Sequence, residues 1–170
     1  MSHPLWAPWR MEYILGPKGP PGACIFCGVR GASDDERRAR LVVASTARAF
    51  VILNRFPFAA GHILIVPHAH VAALEDLSAE DYDALFHLVR ASSTRLTKAL
   101  RAEGLNIGCN LGATAGAGIA AHLHVHIVPR WSGDTNFMPV LADTRVIPQA
   151  LEATRDHLER HFTDLREGAL

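Results

Sequence analysis

Three histidines alternate with apolar residues at His122-Leu123-His124-Val125-His126, and Ile127-Val128-Pro129 follows. Successive side chains in a strand point to opposite faces. The three imidazoles are therefore expected on one face, with Leu123, Val125 and Ile127 on the other. Neighbouring imidazoles on that face would lie about 6–7 Å apart. Two chemistries suit such a row. Imidazole binds zinc and other transition metals, so a three-histidine metal site is one. Neutral imidazole is also a competent nucleophile near pH 7, and a phosphoramidate intermediate divides one hard displacement into two easier ones. A row of histidines on a solvated sheet face is the bland alternative.

The segment before the row is Asn110-Leu111-Gly112-Ala113-Thr114-Ala115-Gly116-Ala117-Gly118. Glycines let backbone N–H groups approach an anion without a side chain in the way. A phosphate under attack would fit between such a loop and the histidines, although many glycine-rich turns only change direction.

The elements that must position these residues read as α+β, a mostly antiparallel sheet with helices packed on it. Residues 41–45 and 47–54 read as a hairpin, and 62–66 as a third strand stopped by Pro67. Ser78 with Asp81 resembles a capping box, opening a long helix to about Arg101. Tyr82, Leu85, Val89, Leu96 and Leu100 mark its buried face, and Gly104 ends it. Residues 105–111 and 122–128 read as two more strands. Pro148 suits the first turn of a C-terminal helix whose inner side carries Leu151, Leu158, Phe162 and Leu165. The polar stretch 31–40 reads as loop. The expected division is an N-terminal arm and linker over 1–23, a catalytic domain over 24–137, and a C-terminal extension with a helix over 138–170.

The chain has 170 residues, with 17 basic and 17 acidic side chains. That balance argues against a nucleic-acid binder, which needs a basic surplus on some face. No apolar run approaches the roughly 18 residues that span a bilayer, so no membrane role is expected. The first residues lack the apolar core of a secretory signal, so the expected compartment is the cytoplasm. Three cysteines make no disulfide framework, and Cys109 reads as a small core residue.

The stretch His122–Val128 resembles the histidine-triad (HIT) signature, three histidines separated by apolar residues. The resemblance runs upstream through Asn54-Arg55-Phe56-Pro57-Phe58 and Gly61-His62-Ile63-Leu64-Ile65-Val66-Pro67. Pro129–Phe137, the opening Leu5–Tyr13 and Val146–Gln149 resemble the diadenosine tetraphosphate phosphorylase (ATP adenylyltransferase) branch of that family, which is fragile-histidine-triad-like. The resemblance implies a homodimer of HIT-like fold that cleaves dinucleoside polyphosphates through a nucleotidyl-histidine. His124 would be the nucleophile and His126 would bind the phosphate or the leaving oxygen. Asn110 and the backbone at Gly116, Ala117 and Gly118 would hold phosphate oxygens. Asn54 would contact the ribose, Ile52 and Leu64 would line the base pocket, and His62 would steady the triad from behind. Gly118 departs from family members that carry Gln or Ser there, so a side-chain donor is missing. Trp131 would wall the substrate cleft or cap the core. Trp6 and Trp9 would pack at a dimer interface or on their own domain, and His87, His157 and His161 would lie at the surface. Alternatives are a hydrolase or phosphoramidase, a nucleotide-binding signalling module with little turnover, and a metal-dependent hydrolase.

Cys24-Ile25-Phe26-Cys27 has the spacing of a zinc knuckle and needs two further ligands. His68, His70 and His122 are candidates. Zinc-bearing relatives in the family use the histidine of a P-x-x-H turn and the first triad histidine, which implies Cys24, Cys27, His70 and His122 as a structural zinc site. A reduced structural pair or a redox C-x-x-C are the alternatives.

Overall fold

A computed structural model describes residues 24–134 and 150–165. The expected arm over 1–23, Trp6, Trp9, Pro148 and the boundary at 137/138 lie outside the described residues. Helix α1 is Asp34–Ala39. Strands β1 (Val42–Ser45), β2 (Ala49–Leu53) and β3 (Ile63–Pro67) follow. Helix α2 is Ala79–Leu100, and then come β4 (Gly104–Gly108), β5 (Val125–Arg130) and helix α3 (Leu151–Glu159). The strands form one sheet in the order β1-β2-β3-β5-β4, with every pairing antiparallel. The α+β reading is borne out.

Alternation along the strands gives the sheet two different faces. Ala49, Val51, Leu53, Ile63, Ile65, Val125 and Ile127 pack with Leu85, Leu88, Leu96, Leu158 and Phe162 under α2 and α3. The opposite face carries Phe50, Ile52, Leu64 and Val66, closed by Phe26 and Val29 from the cysteine turn. His124 and His126 belong to this second face, because they alternate with Val125 and Ile127.

Several local expectations are corrected. Residues 31–40 are not all loop, since Ser33 caps α1 in a reciprocal capping box with Glu36. Ser33 and Glu36 satisfy each other's end of the first turn, so a short polar helix forms. Helix α2 ends at Arg101, which takes the left-handed conformation and donates its N–H to Thr97, while Gly104 opens β4. Its buried face includes Leu88 and Ser92, whereas Tyr82 is 44 % exposed and stacks near Phe86. Strand β4 stops at Gly108 rather than 111. The last strand starts at Val125, not His122, and continues to Arg130. Before it, the Leu123 N–H donates to Val71 O at 2.7 Å, which pulls that stretch off the ladder. His87 and His161 are exposed, as expected. His157 is half-buried and donates from Nε2 to Ala99 O at 3.0 Å, near the end of α2. Cys109 lies just past β4, packed on the edge of the α2-side core.

Gly61 sets the entry to β3. Its φ is +74°, and a Cβ there would stand 2.2 Å from Leu100 Cδ1. The next residue is His62, so the turn that Gly61 permits sets where that side chain enters the sheet.

Candidate functional site around His124

The three histidines have three different sets of partners. His122 is 1 % exposed. Its Nε2–H donates to Pro67 O at 2.9 Å, which leaves Nδ1 as a lone-pair nitrogen. That nitrogen lies 3.3 Å from Cys24 Sγ and 3.9 Å from Cys27 Sγ. His70 Nδ1 lies 3.2 Å from Cys27 Sγ. Donor atoms bound to one zinc at 2.0–2.3 Å are separated by roughly 3.3–3.8 Å along the edges of a tetrahedron. The three printed separations, 3.2, 3.3 and 3.9 Å, lie close to those edges. All four donor atoms lie within 4.8 Å of one another, and theirs is the only such group found among the described residues. Burial and the neighbouring Cys24 thiol push the Cys27 thiol up. His68, the other sequence candidate, turns away and puts Nε2 3.1 Å from Thr46 O.

His124 is 6 % exposed. Its Nδ1–H donates to the His122 carbonyl at 2.8 Å, so Nε2 carries the free lone pair. Burial holds its pKa below the ordinary imidazole value, partly offset by that bond. A neutral ring with its lone pair on the unbonded nitrogen is the state a nucleophile requires.

His126 has the opposite tautomer, and the cause lies behind it. The Phe58 N–H donates to His62 Nδ1 at 3.2 Å, and the Asn54 amide nitrogen is 3.3 Å from the same atom. His62 Nδ1 is therefore an acceptor, and its proton sits on Nε2. That proton is donated to His126 Nδ1 across 2.9 Å. His126 in turn carries its proton on Nε2, a buried nitrogen with no partner among the described residues. Burial and the neighbouring histidines lower His62 to about 3 and His126 to about 4. Both rings stay neutral at physiological pH. His124 thus presents an acceptor and His126 a donor, with ring centroids 5.0 Å apart. The imidazole nitrogens do not converge on one point, which is poor geometry for a three-histidine metal site.

Around this centre, Ile52 and Leu64 lie on the same sheet face, and Leu64 pairs with His126 across β3 and β5. Asn54 serves His62 with its amide nitrogen, while its oxygen accepts from the Phe56 N–H at 2.9 Å. The glycine loop folds over a 3₁₀ turn, Ala113–Ala115, flanked by Gly112 and Gly116 at positive φ. Asn110 Nδ2 donates to Gly116 O at 3.4 Å, bracing the loop from within. The loop leads into the triad, where the His122 N–H meets Ile119 O at 3.4 Å. Ala117 is half-buried and Gly118 exposed. Trp131 is not beside the histidines. Its indole N–H donates to Arg101 O at 3.1 Å, and it stands five residues beyond His126, about 16 Å along a strand. Sequence reasoning missed Phe26, Phe58 and the Pro67 carbonyl, all of which touch site histidines. Phe26 carried one signal, its place between the two cysteines.

The HIT domain family matches residues 36–133, more than half of the chain. The chain belongs to the HIT family. A protein of Mycobacterium tuberculosis (strain H37Rv) described as AP-4-A phosphorylase is 37% identical over 158 residues, covering 89% of this chain and 80% of that one. An asymmetrical bis(5'-nucleosyl)-tetraphosphatase of Schizosaccharomyces pombe is 35% identical over 89 residues, covering 52% of this chain and 48% of that one. Among solved structures, a zinc-bound histidine triad family protein from Mycobacterium smegmatis aligns with a TM-score of 0.65 at 25% identity, covering 84% of this chain and 95% of that chain. No helix among the described residues is long and apolar enough to cross a membrane.

Proposed function

We propose that this HIT protein is a nucleotidyl transferase of dinucleoside polyphosphates, working as a diadenosine tetraphosphate phosphorylase. The observation that carries the reading is the opposed tautomers of His124 and His126. His124 Nε2 attacks the α-phosphorus, the N–P bond forms, and the bond from that phosphorus to the bridging oxygen breaks. His126 Nε2–H donates to a phosphate oxygen or to the leaving oxygen, and a nucleoside polyphosphate departs. Phosphate then attacks the nucleotidyl-histidine, the N–P bond breaks, and a nucleoside diphosphate is released. Asn110 and the backbone from Gly116 on, with the N–H groups at Ala117 and Gly118, bind the phosphate oxygens as charge redistributes. With glycine at 118, that work falls on the backbone. Ile52 and Leu64 line the base pocket and Asn54 reaches the ribose. Trp131 is left out of the substrate contacts. The resemblance to the M. tuberculosis protein over most of the chain supports phosphate rather than water as acceptor.

Cys24, Cys27, His70 and His122 would hold a structural zinc, since four protein ligands leave no open position. The catalytic unit covers 24–137, between an arm over 1–23 and an extension over 138–170. The protein acts as a cytoplasmic homodimer with no nucleic-acid or membrane partner. The edge strand β4, whose Ile107 is half-exposed, offers unpaired backbone groups for a second copy. Sedimentation at micromolar concentration should show a dimer.

The deciding experiment is incubation with diadenosine tetraphosphate, with and without phosphate. ADP plus ATP, formed only with phosphate, is the expected result. AMP plus ATP would assign hydrolysis instead. His124→Ala should lose turnover by several orders of magnitude while still binding AMP.

A further inference from the structure

Residues 24–31 carry both cysteines of the C-x-x-C pair, yet they belong to no helix or strand. Two backbone bonds hold this turn from within, the Cys27 N–H on Cys24 O at 3.2 Å and the Ala32 N–H on Val29 O at 3.3 Å. Helix α1 supplies four more. Arg40 Nη2 donates to Ile25 O at 3.2 Å and to Cys27 O at 3.0 Å. Arg37 donates from Nε to Val29 O at 3.2 Å and from Nη2 to Arg30 O at 2.8 Å. Two arginines three positions apart, in the last turn of α1 and at its C-cap, thus hold four carbonyls of the cysteine turn.

The helix has little else with which to grip the turn. It buries none of its own residues, and the cleft of about 470 Å³ between turn and helix is lined by small residues, Gly28, Gly31, Ala32 and Ala39 among them. Guanidinium arms, rather than interlocking apolar side chains, therefore set the spacing. On its other side the turn is pinned by Val29, fully buried against the histidine-side face of the sheet. The Ile25 and Cys27 carbonyls belong to the peptide units between and just after the two cysteines. Arg40 therefore governs how the two Sγ atoms face His70 and His122. A site assembled from loose chain spends binding energy on ordering that chain, and a braced turn does not.

We propose that Arg37 and Arg40 are positioning residues of the metal site, holding the cysteine turn in its ligating shape so that zinc meets a preformed set of Cys24, Cys27, His70 and His122. The proposal rests on that cluster binding zinc, as read above. The two arginines act differently. One nitrogen of Arg40 serves both of its carbonyls, so an ammonium can stand in for it. Arg37 uses two nitrogens of its planar fork, which an ammonium cannot reproduce.

The test measures zinc affinity of the full chain by competition with a chromogenic chelator, beside the urea midpoint of metal-free protein. Arg40→Gln should bind zinc about tenfold more weakly than wild type, as expected for a group that orients metal ligands from behind. Arg40→Lys should stay within about threefold of wild type, whereas Arg37→Gln and Arg37→Lys should both weaken by about tenfold. Arg38→Gln is the control from the same helix. Its ion pair with Asp156 points to α3, so its zinc affinity should match wild type. Metal-free urea midpoints of the Arg37 and Arg40 variants should stay close to wild type. Cobalt-loaded Arg40→Gln should keep the wild-type ligand-field bands, because all four ligands remain. Wild-type zinc affinity in both Arg37→Gln and Arg40→Gln would overturn the proposal. So would an equal loss in Arg38→Gln, or metal-free midpoints that fall in step with affinity, since either makes the arginines general stabilisers of the fold. Should Arg40→Gln fail to fold, the contrast between Arg40→Lys and Arg37→Lys decides alone. Wild type that binds no zinc, or unchanged zinc binding in the Cys24→Ser, Cys27→Ser double variant, would instead sink the metal site itself.

Discussion

A neutral imidazole offers one donor and one acceptor, so whatever binds one nitrogen sets the role of the other. In this site the rule runs through three rings. The Phe58 N–H assigns His62, His62 assigns His126, and the His122 carbonyl assigns His124. Removing His62 should free His126 to take either tautomer. His62→Ala is expected to slow the chemical step by about 10–100-fold, with AMP affinity little changed. His62→Gln should recover much of the rate, because its amide can accept from Phe58 and donate to His126. A single-turnover assay checks this; equal loss in both variants would reduce His62 to a packing role. At this scale the sequence was partly legible. The alternation of the triad and the C-x-x-C spacing point to residues that the structure brings together, because histidine and cysteine types limit the chemistry. The choice of His70 over His68 was not legible from spacing. It depends on His68 turning toward Thr46, a contact across 22 positions of chain.

The strands bring those residues together, and their register was readable where burial alternates with exposure. Val125 and Ile127 pack under α2, which turns His126 to the other face. The same alternation misled at His122, since the Leu123–Val71 bond breaks the ladder before the first histidine. That bond is tertiary, and no local pattern announces it. Helix α1 was readable but hidden by its polarity. Ser33 and Glu36 stand at capping-box spacing, and the absence of any buried residue in α1 removed the hydrophobic period that marks a helix. Gly61 is the element-scale weak point. Gly61→Ala should cost about 1–2 kcal/mol for the left-handed backbone alone, while the Leu100 tip must rotate away from the new Cβ. The strained turn ends on His62, so activity should fall further than the stability loss explains. Denaturant midpoints measured beside turnover check this. A stability change under about 0.5 kcal/mol, in the range of ordinary surface substitutions, would mean the turn relaxes freely.

Across the whole molecule, the helix-side core supplies the stability and the histidine face draws on it. A cleft of about 410 Å³ between α1, β1 and α3 is spanned by charges rather than arranged for chemistry. Arg155 binds Val42 O and both oxygens of Glu159 there, tying α3 to the edge strand. The cost of the histidine face appears as pH dependence. His62 at about 3 and His126 at about 4 remain neutral in the folded chain, whereas in the unfolded chain each protonates near 6.5. Between those limits the unfolded state binds more protons, so stability rises with pH and is lost on acidification. Each ring contributes a slope of about 1.4 kcal/mol per pH unit. Two rings between pH 6 and pH 4 then remove about 5 kcal/mol, comparable to the whole stability of a small domain. Should the Cys24, Cys27, His70 and His122 cluster hold zinc, its release in acid would add to the same trend. A comparison of wild type with His62→Gln separates the two, because both proteins keep Cys24, Cys27, His70 and His122. Urea unfolding at pH 7, 6, 5 and 4 should show a slope about 1.4 kcal/mol per pH unit shallower in the variant below pH 6. Parallel profiles would mean that His62 is protonated in the folded chain, and the donor that fixes His126 would then need another source.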